Sequence, residues 1–442
     1  MGKRVLPYLY GRQKISVKAK AKKILIISYY WPPSGGSGVQ RWMYFAKHLK
    51  KLGWEPIVIT VDETKASYPV LDRSLIKEVE GIRVIKTQTR EPLRWYSRIT
   101  SGDVQKGIPQ GEVPTTSVFG KLSAYIRGNF FIPDARKGWI PFAAKAAQQI
   151  LEHEKIDSLI TTGPPHSSHL AGLQLATQFK LNWWVDFRDP WTTIFYNKQL
   201  RRTASSQAKD AAFEKSILQN AKGVITTTGG DLHQSLKQKA PDQTFITLPN
   251  GYDADLMQQT PAAPKQNGFH IVYTGLLTQN QAYFKLVKVL NKLSQTHTLH
   301  FSLAGNINTA LIREIKTSLP KVEVQYLGYL AHAKAIALMK SADLLLNFIF
   351  KGAETQMISG KLLEYMATEV PILSLGDPNS PAAQFLTQGT QAWMVQDQDT
   401  LTMEQHLKNL LKQKKQPKNK TPQLAEWSRA ALTKRLVEEV LG

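Results

Sequence analysis

Four clusters in this chain combine residue types able to do chemistry, and each follows a run that reads as a β-strand. Gly35 and Gly36 stand in Pro-Pro-Ser-Gly-Gly-Ser-Gly, directly behind the apolar run 24–28. A glycine loop that opens a helix leaves backbone N–H groups free for a phosphate or sugar. His166 and His169 follow Gly163-Pro-Pro. A histidine there can orient a hydroxyl or accept its proton near neutral pH. Asp186-Phe-Arg188-Asp189-Pro-Trp sets two acids around an arginine. That corner either binds a ligand or satisfies itself as an ion pair. Ser359 and Gly360 lead into a helix with Glu364 one turn in. N–H groups at that start favour a diphosphate, and the carboxylate can accept from ribose hydroxyls. Asp253-Ala-Asp255 has the form of a metal-binding pair, but after Asn-Gly an Asp serves readily as a helix cap. No metal and no cofactor are expected.

The elements that must position these clusters follow from periodicity. Residues 24–28 read as a buried parallel strand, Val39, Trp42, Phe45, Ala46, Leu49 and Leu52 recur at helical spacing, and residues 56–61 close a βαβ unit. Gly36-Ser-Gly38 begins like a dinucleotide fingerprint, with Arg41 in place of its third glycine. Asp62 ends the second strand, where a ribose-binding acid would sit, so a dehydrogenase is one reading of these residues alone. Strands are predicted at 82–85, 156–162, 183–186, 223–227 and 245–248, with helices at 141–153, 203–220 and 230–239. Residues 258–268 read as a linker. A second α/β series carries strands at 269–274, 299–303, 322–327, 344–348 and 371–375, and a helix over 422–441 closes the chain. The expected fold is α/β, two Rossmann-like domains facing across a cleft, with ligand at the strand carboxyl ends.

Composition bounds the rest. A chain of 442 residues is too long for one core. No apolar run reaches the length that spans a bilayer, and residues 1–20 lack a signal-peptide core. Cysteine is absent, which excludes disulfide and thiolate chemistry. These features together predict a cytoplasmic protein. The net charge of +23 predicts attraction to polyanions, whether nucleic acid or anionic lipid. Residues 1–23 hold eight Lys or Arg and no acid, and 406–420 hold six Lys and no acid. Between 92 and 139 periodicity fades while aromatic residues alternate with seven Lys or Arg and three acids. That mixture suits an interfacial surface, or an irregular loop packed by its own aromatic rings.

Several phrases in fixed order carry a resemblance. They are Tyr-Tyr-Trp-Pro-Pro-Ser-Gly-Gly from 29, Asn-Phe-Phe-Ile-Pro-Asp-Ala-Arg-Lys from 129 and Thr-Gly-Pro-Pro-His-Ser-Ser-His from 162. Asp-Phe-Arg-Asp-Pro-Trp from 186, Pro-Asn-Gly-Tyr-Asp from 249 and Ser-Gly-Lys-Leu-Leu-Glu-Tyr-Met-Ala from 359 complete them. The sequence from about 22 to 440 resembles the retaining nucleotide-sugar glycosyltransferases of family 4, in a bacterial branch with the GT-B fold. The resemblance implies transfer, with retention, from a nucleotide-diphosphate sugar to a hydroxyl of a glycan or lipid-linked acceptor, as in cell-surface polysaccharide or lipopolysaccharide synthesis. It implies His166 at the reacting hydroxyl with Asp186 as its catalytic companion. His169, Asp134, Arg136, Arg188 and Asp189 would surround the acceptor. Gly35, Gly36, Gly275, Gly328, Tyr329, Ser359, Gly360 and Glu364 would hold the donor. The first acid of the family's E-x7-E pair is Gln356 here, an amide at the donor sugar. The basic residue after the first glycine of the second domain is absent, which leaves Lys285 or Lys361 to balance the diphosphate.

The implied organisation is a basic arm at 1–21, an acceptor domain at 22–257, the linker at 258–268, a donor-nucleotide domain at 269–421 and a helix at 422–442 packing back on the first domain. Partners are then a nucleotide sugar, an acceptor and an anionic membrane surface on the cytoplasmic side, with no specific nucleic acid. Three other readings stay open: an epimerase of the same fold, a basic nucleic-acid-binding protein, and a binding-only relic.

Overall fold

The computed structural model describes residues 21–68, 70–91, 118–353, 355, 357–413 and 416–442. Residues 1–20 of the predicted basic arm, the stretch 92–117 and Gln356 lie outside the described residues.

Seven strands form the first sheet: β1 (Lys23–Ile27), β2 (Glu55–Val61), β3 (Arg83–Thr87), β4 (Ser158–Gly163), β5 (Trp183–Phe187), β6 (Gly223–Thr226) and β7 (Thr244–Thr247). Their order is β3-β2-β1-β4-β5-β6-β7, and every pairing is parallel. The chain between strands runs through α1 (Ser37–Lys51), α2 (Val118–Phe130), α3 (Ile140–His153), α4 (Ser167–Phe179), α5 (Ala204–Asn220) and α6 (Asp231–Lys239), and leaves by α7 (Ala254–Gln259). The second sheet holds β8 (Phe269–Thr274), β9 (Leu299–Ala304), β10 (Glu323–Tyr326), β11 (Leu344–Phe348), β12 (Ile372–Leu375) and β13 (Ala392–Val395). Its parallel order is β10-β9-β8-β11-β12-β13. Its helices are α8 (Phe284–Leu293), α9 (Thr309–Ser318), α10 (His332–Ser341), α11 (Leu362–Ala367), α12 (Pro381–Leu386) and α13 (Thr400–Leu411), and α14 (Arg429–Leu436) follows them. These are two Rossmann-like α/β domains.

The apolar runs form these strands because both sheet faces are covered. Leu25, Ile27, Ile57 and Ile59 pack with Trp139 and Ala143 on one face. Their neighbours Ile24, Ile26 and Val58 pack with Trp42 and Leu49 on the other. The last turns of the chain complete that second layer, with Leu432, Leu436, Val440 and Leu441 in the same cluster. The helix predicted over 422–441 is interrupted. A 3-10 turn at Leu424–Trp427 comes first, Ser428 caps α14 by accepting from the Ala431 N–H, and a π turn at Val437–Leu441 ends it. Two elements depart further from expectation. Residues 118–130, read as part of an aperiodic stretch, form α2, and β13 adds an edge strand. Ala124 and Gly128 give α2 its inward face, so no apolar period marks it. Three of the four β13 residues are only partly buried, which blurs its strand pattern.

Candidate functional site

In a doubly wound sheet, strand order reverses at one point, and the loops at the carboxyl ends part there to leave a crevice. The reversal falls between β1 and β4 in the first sheet and between β8 and β11 in the second. A cavity of about 450 Å³ opens between the domains at these two points. Gly35, Gly36, Arg136, Arg188 and Asp189 line it from the first domain, and Gly275, Tyr329, Ser359, Gly360 and Lys361 from the second.

The first wall begins at α1. Gly36 occupies its N-cap with φ +92°, no side chain caps the helix, and its first turn carries no acid. The positive end of this helix is therefore open toward the cavity. Gly35 matters for closeness, since a Cβ there would stand 2.9 Å from the Tyr329 hydroxyl of the opposite domain. Tyr329 Oη donates to Asp72 Oδ2 at 3.2 Å, and Phe195 stacks on Phe350 at 5.8 Å between ring centres. The Asp231 N–H donates to the Thr355 carbonyl at 3.2 Å. The domains thus meet on more than one side of the cavity.

Arg41, in the position of the missing third glycine, is fully buried. Its Nη2 and Nε reach Asp186 Oδ1 at 2.8 and 3.0 Å, and Nη1 donates to the carbonyls of Leu248 and Pro249. Trp42 Nε1 and Thr162 Oγ1 each donate to Asp186 Oδ2 at 2.7 Å. Asp186 is thus saturated and fully buried beneath the cavity wall. Arg188 donates to the carbonyls of Gly38, Pro164 and Gly163, fastening the first loop to the one after β4. Asp189 has no hydrogen-bond donor among the described residues, and burial raises the pKa of its carboxyl.

His166 lies flat on Trp191, 4.9 Å between ring centres and 3° between planes, and is 8 % exposed. Its buried Nδ1 has no partner, and burial, reinforced by His169 and Arg188, holds its pKa well below the usual histidine value. His169 is fully buried with Nδ1 2.8 Å from Thr161 Oγ1, and its pKa falls to about 3 for want of solvent. Both rings are neutral at pH 7. Asp134 accepts from the Ser167 N–H, the Ser167 hydroxyl and the Arg136 N–H, pinning the start of α4. Arg136, held by Glu91 and the Ser67 carbonyl, reaches the cavity. The geometry thus separates the candidate acceptor residues. Arg136, Arg188 and Asp189 line the cavity, while His166, His169, Asp134 and Asp186 support its wall from behind.

On the second domain, Gly275 and Gly305 let strands β8 and β9 end in crossing turns. A Cβ on Gly305 would lie 2.1 Å from the Gly275 carbonyl. Lys361 is the unusual cation. Its Nζ sits 3.6 Å from the centre of the Tyr273 ring and has no carboxylate partner among the described residues. Burial lowers its pKa well below the usual lysine value. Lys285 and Gly328 do not line the cavity, although the Gly328 carbonyl accepts from Gly305 N–H at 2.7 Å. Glu364 lies behind the wall. Its Oε1 accepts from His332 Nε2 at 2.8 Å and Arg429 Nη2 at 3.2 Å. Burial pushes its pKa up, but His332 and Arg429 outweigh that and hold it below the usual value. Arg429 in turn donates to Gln40 of α1 at 2.7 Å and stacks on Tyr44 at 4.0 Å.

Sequence reasoning missed Arg41, Asp72, His332 and Arg429. The substitution at the third fingerprint glycine was a signal for Arg41, whereas Asp72, His332 and Arg429 meet their partners only in three dimensions. Asp253 is a cap, accepting from the Leu256 N–H at 3.0 Å, and Asp62 likewise accepts from Thr64 in its own turn. Among the described residues no three His, Asp or Glu gather as metal ligands.

Two facing Rossmann-like domains with a cavity at both switch points define the GT-B architecture, and the comparisons agree. Residues 268–413 match the family model described as Glycosyl transferases group 1. Solved structures share the whole architecture at low identity. Sucrose-phosphate synthase of Thermosynechococcus elongatus is 14 % identical over 95 % of both chains with a TM-score of 0.59. A glycosyltransferase of Rickettsia africae is 15 % identical over 95 % of this chain and 94 % of its own, with a TM-score of 0.57. Anabaena HepE, solved in complex with UDP and glucose, is 12 % identical over 95 % of both chains, also at 0.57. No curated protein sequence matches the chain.

Proposed function

We propose that the chain is a glycosyltransferase that moves a sugar from a nucleotide-diphosphate sugar to a hydroxyl of a glycan or lipid-linked acceptor. One observation carries this reading: Lys361, a half-buried lysine without a carboxylate partner among the described residues, lines the same cavity as the uncapped N-terminus of α1. A diphosphate between them would supply the missing anion to both. The UDP and glucose in the HepE structure supply a ligand class that such a cavity fits.

In this reading residues 22–257 hold the acceptor and residues 269–421 the donor. Ser359, Gly360 and Lys361 take the diphosphate and Tyr329 the base region, while Glu364 acts from behind the wall by holding His332 and Arg429 in place. Arg136 and Asp189 hold the acceptor, with Asp189 accepting from its hydroxyl. Asp186, Asp134 and Arg188 keep the loops in place, and His166 backs the wall at Pro164. The donor's own phosphate oxygen takes the acceptor proton on the face the leaving group vacates, which retains anomeric configuration. Lys361 and the α1 N–H groups offset the charge that develops on the departing diphosphate. The expected setting is the cytoplasmic face of a membrane, in cell-surface polysaccharide synthesis.

Thermal-shift screening with UDP, GDP and ADP and their sugars, followed by NMR of the product anomer, tests this. Binding of one nucleotide family and a retained anomer support the reading; an inverted anomer contradicts the mechanism. Turnover of the nucleotide sugar without any acceptor would indicate an epimerase. The same architecture serves a putative UDP-N-acetylglucosamine 2-epimerase of Listeria monocytogenes, 10 % identical to this chain over 94 % of its length with a TM-score of 0.52.

A further inference from the structure

Helix α2 packs with its small residues inward and its large apolar residues outward. Ala124 and Gly128 face the domain, and a Cβ on Gly128 would stand 2.3 Å from the Leu200 carbonyl. Leu122, Tyr125, Ile126 and Phe130 are 55, 41, 36 and 64 % exposed. At 3.6 residues per turn they span an arc of about 140° on one face. No other helix among the described residues exposes more than one large apolar side chain. An amphipathic helix of a globular domain buries such a stripe, and leaving it in water forfeits the hydrophobic gain.

The surroundings are cationic. Lys121 on α2 and Lys198 and Arg201 on the adjoining segment 195–202 are exposed, and neither 118–131 nor 195–202 contains an acid. Arg202 is already engaged by Asp210. The cavity is close along the chain: Phe195 of the adjoining segment lines it, and so does Arg136, six residues beyond Phe130.

We propose that this face of α2 docks on an anionic lipid bilayer. Leu122, Tyr125, Ile126 and Phe130 enter the interfacial layer, and Lys121, Lys198 and Arg201 meet lipid phosphates. Charge selects the bilayer over a second copy of the chain. Two molecules of net charge +23 joined through this face would bring their cationic rims together. A lipid-linked acceptor would then reach the cavity beside Arg136 without leaving the surface. That consequence rests on the transferase reading; the docking itself does not.

Co-sedimentation of the full chain with vesicles of phosphatidylcholine plus phosphatidylglycerol, against phosphatidylcholine alone, tests the docking. Nucleotide binding is measured on the same samples, so loss of the transferase reading would show separately. Partition is expected to favour the anionic vesicles and to weaken as salt rises. The pair L122S/F130S is expected to lower partition by at least about tenfold. Lys121→Glu and Arg201→Glu are each expected to lower it about fivefold or more. Both sets should leave the melting temperature and nucleotide binding unchanged. Equal partition onto both vesicle types, or partition untouched by L122S/F130S, overturns the proposal. So does a solution dimer that L122S/F130S dissociates while no vesicle is bound.

Discussion

Lys361 sits half-buried in the cavity wall against Tyr273 with no carboxylate partner among the described residues, and an ammonium drawn out of water is costly unless a ligand neutralises it. Replacing it with Met keeps the packing and removes the charge. Hydrogen bonds to charged groups contribute about 1.5–3 kcal/mol, so Lys361→Met is expected to weaken nucleoside-diphosphate binding by about 10- to 100-fold. Calorimetry should show the unphosphorylated nucleoside little affected. The two histidines behind the first wall give a pH prediction. The folded-state pKa of His169 is depressed to about 3, against about 6.5 in the unfolded chain. The unfolded state therefore binds more protons as pH drops below 6.5, and stability falls with pH from there toward 3. The loss is expected to be on the order of 2 kcal/mol by pH 4.5. His169→Asn should flatten that slope in urea titrations, whatever it costs at pH 7. Placement on the cavity wall was legible where a motif is continuous, as in Gly35-Gly36 or Ser359-Gly360-Lys361. It was not legible for Asp186, whose carboxylate pairs with Arg41 from a different βα unit, because sequence spacing does not say which distant cation fills a buried space.

At the scale of elements, the chain end does two jobs. Leu432 and Leu436 seal the outer layer of the first sheet, and Arg429 at the start of the same helix grips Glu364 in the second domain. Arg429→Met would leave Glu364 with only His332, and breaking a buried pair typically costs about 3–5 kcal/mol. A loss of that order is expected in denaturant titration, with weaker nucleotide binding beside it. Glu364→Gln should recover part of the stability of the Arg429→Met protein, because an amide needs no counter-charge. The central strands of both sheets could be read from sequence because burial on two faces makes them continuous apolar runs, whereas the half-exposed edge strand β13 could not. The break at Ser428 could not be seen so easily. Its cap depends on the contact between Gly251-Tyr252 and residues 427–429, where the Tyr252 N–H donates to the Trp427 carbonyl and the Arg429 N–H to the Tyr252 carbonyl. Helix α2 escaped notice for the opposite reason: its inward face is nearly bare of large side chains.

For the whole molecule, the proposed function depends on two half-molecules approaching closely enough to share one ligand. The Tyr329–Asp72 hydrogen bond and the Phe195–Phe350 stack close the gap, and burial with the nearby Asp72 charge pushes the Tyr329 pKa up to about 12. Tyr329→Phe removes a bond worth roughly 0.5–1.5 kcal/mol. Donor affinity should fall about two- to tenfold with stability nearly unchanged, as a binding isotherm and a thermal melt would show. The two-domain plan was visible in the sequence as a repeated α/β alternation around a proline-bearing break, but the distance between the halves was not, since no local pattern encodes it. Hydrogen exchange with and without a nucleotide-diphosphate sugar addresses that distance most directly. Slowed exchange at residues 35–39 together with residues 275–281 and 357–364 is the predicted result. Protection confined to one domain, or none while the nucleotide is bound, would contradict a donor held between the two.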